Sequence, residues 1–146
     1  SINVGRACDG AMKARGHGVS VNITGLAADR TDADYIAGSA GNSSLNTFTR
    51  TLGSRSLRDG VRVVAVSPGA VATERIVTLM QSRAEAEFGD AERWQSYLSN
   101  LPLERAAAVH EIADVVTFAA SDRASYLSGT VVTVDGGHGA NMASFG

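Results

Sequence analysis

Val61-Arg62-Val63-Val64-Ala65-Val66-Ser67-Pro68-Gly69 decides the fold. Its first six residues hold four valines and one alanine, and Arg62 is the one charge among them. β-Branched side chains favour extended backbone. A near-continuous apolar run is what a strand buried on both faces requires, since a strand with one wet face would alternate. Pro68 cannot donate to a ladder, so the strand ends at Pro68-Gly69. Asp59-Gly60, just before the strand, closes the preceding element with a residue that tolerates left-handed backbone.

The pattern extends outward from this strand on both sides. Ala11 to Arg15 reads as the end of a helix, closed by Gly16 and Gly18. Val19 to Thr24 alternates apolar and polar residues, a short strand. Gly25 to Asp34 reads as a loop, and about Tyr35 to Arg58 as a helix whose Leu45, Phe48 and Leu52 share a face at i, i+3, i+7. Ala37, Ala40, Gly41 and Ser44 give that helix a small-residue surface. Beyond Gly69, the spacing predicts a helical region over Ile76 to Leu101, interrupted near Gly89-Asp90. Trp94, Tyr97, Leu98 and Leu101 form an amphipathic stripe there, with core packing the expected role of Trp94. Ile112, Val115, Val116 and Ala119 repeat the spacing in a further helix, and Thr130 to Val134 is a last strand before Asp135-Gly136-Gly137. Strands joined by helical crossovers run parallel, with helices on both faces. The expected class is α/β with a doubly wound parallel sheet of about three strands.

Composition narrows the function. The chain has 146 residues, 44% hydrophobic and 19% charged, as one globular domain would. A net charge of −2 gives no attraction to nucleic acid or anionic lipid, so neither is an expected partner. The single cysteine, Cys8, has no internal disulfide partner, which fits a reducing, cytoplasmic compartment. No apolar run approaches the ~20 residues of a membrane span, and residues 1–6 lack a signal-peptide core. His17, His110 and His138 have no clustered Cys, Asp or Glu, so no metal is expected, and Asp32 and Asp34 read as solvated loop carboxylates. Lys13 is the one lysine, which excludes a lysine mechanism elsewhere.

Several motifs in order resemble the short-chain dehydrogenase/reductase family. They are Asn22-Ile23-Thr24, Leu45-Asn46-Thr47-Phe48-Thr49-Arg50-Thr51-Leu52, Val61 to Gly69, Ile112-Ala113-Asp114-Val115-Val116, Ala120-Ser121-Asp122, Tyr126-Leu127-Ser128-Gly129 and Val134-Asp135-Gly136-Gly137. The resemblance implies the C-terminal portion of a Rossmann-type fold, residues 1–146 forming a partial domain whose N-terminal cofactor-binding half lies outside the sequence. It implies NAD or NADP as cofactor, with Pro68 and Gly69 shaping the backbone under the nicotinamide. In the family pattern Pro-Gly-x-x-x-Thr, Thr73 and the backbone near Val71 meet the carboxamide or phosphate.

The family's chemistry uses a Ser, a Tyr and a Lys, the last two spaced Tyr-x-x-x-Lys, with the ammonium bringing the phenol toward working pH. Alignment on Leu45 to Leu52 puts the lysine place at Asn42, the tyrosine place at Gly38 and the serine place at Gly25. Tyr35 is the one tyrosine nearby, but four residues on stands Ser39, and Lys13 precedes the first strand. No Gly-rich phosphate turn occurs: Gly16-His17-Gly18 precedes a strand, and Gly136-Gly137-His138-Gly139 follows the last one. Asn3 matches a family asparagine by identity, but its spacing to Val19 is short.

Three functional expectations follow from the resemblance and its departures. The first is a non-catalytic subunit, inactive alone, supporting a catalytically complete relative in a hetero-oligomer. That pairing, or a homo-oligomer, would use helix 35–58 and the last helix and strand, and an acyl-CoA thioester is the expected substrate class. The second is an NAD(P)-dependent oxidoreductase in a longer chain, with an atypical site at Tyr35 and Asn42. The third is a module that binds nicotinamide nucleotides. In each case the first strand, Val19 to Thr24, is expected to present an open edge.

Overall fold

The computed structural model describes residues 2–30 and 33–140. Asp32 and the tail from residue 141 lie outside the described residues. Helix α1 (Ile2–Ala14) leads to strand β1 (Gly18–Ile23), and α2 (Ile36–Ser56) to β2 (Val61–Pro68). Helix α3 (Glu74–Phe88), a 3-10 segment (Ala91–Asn100) and α4 (Val109–Ala120) precede β3 (Thr130–Val134). The sheet has the order β1-β2-β3, all parallel, with Val21 opposite Val64 and Val66 opposite Val132. Strand β2 is central and its residues from Val61 to Ser67 are buried, as its apolar run requires. Among the described residues β1 pairs on one side only, so its other edge is open.

Alternation along β2 assigns the two faces. Val61 and Val63 pack with Met12 of α1 and Leu52 of α2. Arg62, on the opposite face, donates to the carbonyls of Ala119 (2.7 Å), Ala120 (3.3 Å) and Ser121 (2.8 Å) at the end of α4. That explains a charge in a buried strand: the guanidinium satisfies the orphan carbonyls of a helix C-terminus and complements its dipole.

The stripe Leu45, Phe48, Leu52 is only half-buried. The residues α2 buries are Ser39, Asn46, Thr49, Gly53 and Ser56. Small residues let the helix approach closely, for a Cβ on Gly53 would run into the backbone of Gly129. The Asn22 amide of β1 donates to the Thr49 hydroxyl at 2.9 Å across that interface. Ala37, Ala40, Gly41 and Ser44 face outward.

Boundaries shift for local reasons. The helix expected over 35–58 ends at Ser56 and tightens into a 3-10 turn, closed by Gly60 at φ 73°. Helix α3 starts at Glu74 because the Thr73 hydroxyl accepts the Ile76 N–H, and it stops at Gly89, φ 67°. The stretch carrying Trp94 and Leu98 is 3-10, entered through Asp90, whose carboxylate accepts the Glu92 N–H at 3.0 Å. At the other end, α1 reaches back to Ile2 and places Asn3 exposed in its first turn.

Candidate functional site

In an open parallel sheet, ligands bind beyond the carboxyl ends of the strands. Four residues singled out in the sequence meet at that end. Gly25 follows β1, and a Cβ built on it would stand 3.7 Å from Asn42 Oδ1. The Asn42 amide donates to the Gly38 carbonyl, one turn back, at 2.8 Å. A Cβ on Gly38 would overlap the ring of Tyr35, three residues earlier on the same side of the chain. Tyr35 is 47% exposed, so the ring covers Gly38 and still presents a surface to solvent. The arrangement is neutral: a phenol, an amide and two glycines. It offers hydrogen bonds and a stacking face, and no ammonium accompanies them.

The one lysine is at the opposite end of the sheet. Lys13 bonds Asp9 at 2.8 Å and lies 3.7 Å from Asp59, and the hydrogen bond to Asp9 raises its pKa. The length of β1, about 20 Å at ~3.3 Å per residue, separates it from Gly25.

At the end of β2, the Gly69 N–H donates to the Val134 carbonyl at 3.0 Å. A Cβ on Gly69 would stand 3.0 Å from Asp135 Cβ, so glycine lets the two loops touch. Val71 bridges Ala107. Thr73 accepts the Ile76 N–H through its hydroxyl oxygen and keeps its own proton to donate. Sequence reasoning counted Asp135 in a family motif but gave it no place at the site; its carboxylate accepts the N–H groups of Gly137 (2.8 Å) and Gly139 (2.6 Å) and fixes the loop beside Gly69. The signal was present in Asp135-Gly136-Gly137, an Asx turn with glycines at φ 66° and 86°.

A family model described as enoyl-(acyl carrier protein) reductase matches residues 1–139. Galactitol 2-dehydrogenase (L-tagatose-forming) of Cereibacter sphaeroides is 35% identical over 135 residues, covering 91% of this chain and 50% of that protein. The chain belongs to the short-chain dehydrogenase/reductase family. Among solved short-chain dehydrogenase/reductase folds, levodione reductase superposes with a TM-score of 0.80 at 29% identity, covering 90% of this chain and 50% of that one. The F189W actinorhodin polyketide ketoreductase with NADPH gives 0.82 at 27% identity, covering 89% and 50%. The chain thus spans about half the length of the short-chain dehydrogenase/reductases it matches. Its sheet is the Rossmann-like α/β fold of that family. No helix among its described residues is long and apolar enough to cross a membrane.

Proposed function

We propose that this chain is a non-catalytic short-chain dehydrogenase/reductase subunit that pairs with, and supports, a catalytically complete relative. One observation supports the reading: Gly38, at the tyrosine place that the family spacing implies, has no side chain, and the half-exposed ring of Tyr35 lies over it. Gly25 and Asn42, at the serine and lysine places, leave no hydroxyl and no ammonium beside it. The pairing surface is the outward face of α2, with α4 and β3. A stable pair needs more than about 1,000 Å² buried there. Relatives that bind nicotinamide cofactors make NAD or NADP the group to test. Pro68, Gly69, Val71 and Thr73 fit it, with the Thr73 hydroxyl donating to a carboxamide or phosphate oxygen. A bound nicotinamide supplies hydride transfer, and this chain's residues would only hold and orient it.

Native and denaturing mass spectrometry of the protein from its own host tests the proposal. A second chain with an intact Ser and Tyr-x-x-x-Lys in the native assembly is the expected result, and an acyl-CoA thioester is the first substrate to assay on the pair. A homo-oligomer that turns over with NAD(P) would overturn it. The half-exposed phenol of Tyr35 over Gly38, whose carbonyl accepts from Asn42, favours one second reading, an atypical active site. Loss of turnover in Tyr35→Phe would establish that reading instead.

A further inference from the structure

Helix α2 meets the sheet residue by residue, running against the strands. Near its end, a Cβ on Gly53 would stand 2.8 Å from the Val63 carbonyl oxygen of β2. One turn back, the Thr49 hydroxyl accepts from the Asn22 amide of β1 at 2.9 Å. Near its start, Asn42 Oδ1 stands 3.7 Å from a Cβ built on Gly25. Asn46 falls between Asn42 and Thr49 on the helix, so it lies over the strand level between Gly25 and Asn22. Asn22 pairs with Ala65, and alternation puts Thr24 and Ser67, two residues on, on that same face. Thr24 continues the ladder, its N–H donating to Val66 O at 2.9 Å. Asn46, Thr24 and Ser67 thus share one layer between helix and sheet, and all three are buried.

The layer is polar and incompletely bonded. The Thr24 hydroxyl donates to Val66 O at 3.4 Å. Both ends of the Asn46 amide, 2% exposed, and the Ser67 hydroxyl, 0% exposed, have no hydrogen-bond partner among the described residues. Buried amides and hydroxyls in native proteins are nearly always paired, with protein or with ordered water. Ser39 and Ser56 of α2 also lack partners, but a helical hydroxyl can turn onto a carbonyl of its own helix, as Thr49 does onto Leu45 O at 2.9 Å. Asn46 cannot satisfy both ends that way. A helix carbonyl can take its nitrogen, while the N–H groups around its oxygen are already bonded within the helix. Ser67, on a strand, has no carbonyl one turn back.

We infer that this layer is a binding site for one internal water molecule, held by Asn46, Ser67 and Thr24. The Asn46 nitrogen and the Ser67 hydroxyl donate to its oxygen. Its two protons go to Asn46 Oδ1 and to Thr24 Oγ1, whose own proton is already given to Val66 O. Buried waters are held by such sets of polar partners, with about three bonds each. The water ties α2 to the ends of β1 and β2, one turn from Asn42 and next to Pro68-Gly69. The inference is independent of the subunit reading, since it concerns the interior of an active or an inactive chain alike. Two measurements on the full chain test it: a crystal structure at a resolution that shows ordered water, and oxygen-17 relaxation dispersion, which counts long-lived internal waters in solution. The crystal shows a water within ~2.6–3.2 Å of both Asn46 Nδ2 and Ser67 Oγ. Asn46→Leu, similar in shape, lowers the dispersion amplitude by the contribution of one water. The parent crystal decides even where that variant does not fold. The proposal is overturned if Asn46 and Ser67 bond each other directly, if the space between them is dry, or if folded Asn46→Leu gives the parent's amplitude.

Discussion

The two ends of this sheet are built on opposite terms. At the amino end of the strands, Met12, Leu52, Val61 and Val63 pack together. Lys13 ties Asp9 to Asp59 there, and Arg62 closes three carbonyls at and just past the end of α4. At the carboxyl end, the corresponding positions are Gly25, Gly38 and a half-buried amide on Asn42. Strand β2 is buried toward both ends, but only the carboxyl end surrounds it with glycines and a half-buried amide. A protein whose carboxyl end had only to fold would have filled it with packed side chains, so the open end marks where function is to be sought.

The comparison can be broken by substitutions of graded severity. Gly53→Val should have the largest effect. Its side chain must enter the Gly129 backbone, and we expect a loss above about 4 kcal/mol, read as failure to give a cooperative urea transition. Arg62→Ala comes next. It leaves the carbonyls at the end of α4 without their buried donor, for a loss of about 2–3 kcal/mol in the same assay. An Arg62→Ala protein as stable as the parent would remove the staple from the argument.

At the carboxyl end the expected effects are smaller and coupled. Gly38→Ala gains helix propensity, but its methyl must displace the half-exposed Tyr35 ring, and Tyr35→Ala removes that cost. The double-mutant cycle should show a coupling of about 1 kcal/mol, and additive effects would contradict the contact. Asn42→Lys breaks one exposed-end hydrogen bond and should shift stability by no more than about 1 kcal/mol.

The smallest effect concerns pH. Hydrogen bonds from Arg105, then from the Ala108 N–H, hold the Glu111 carboxyl down at about 2, from an ordinary 4.5. A depressed carboxylate contributes stability above its unfolded pKa and loses it as pH falls through the folded one. Glu111→Gln should therefore lower the melting temperature slightly above pH 4.5, with the difference from the parent fading toward pH 2. A difference that persists at pH 2 would assign the effect to packing.

Much of this was legible in the sequence. Val61 to Pro68 announced a buried parallel strand because composition alone separates it from a half-wet one. The helix-strand order then determined the class, and the meeting of Gly25, Gly38 and Asn42 followed from the family spacing. What escaped was set by partners distant in the chain. The Leu45, Phe48, Leu52 stripe promised an apolar face. Yet α2 turns Ser39, Asn46, Thr49 and Gly53 to the sheet, because closeness to Gly129 and a bond to Asn22 decide its rotation. Trp94 and Leu98 had the spacing of an α-helix, and the backbone there is 3-10. The ring of Tyr35 over Gly38 had no sequence signal beyond the three-residue separation.

That contact ties two positions of one turn together. Any side chain at position 38 meets the ring of Tyr35, which is half-exposed and has solvent to turn into, so the residue placed at 38 decides where the phenol of 35 points.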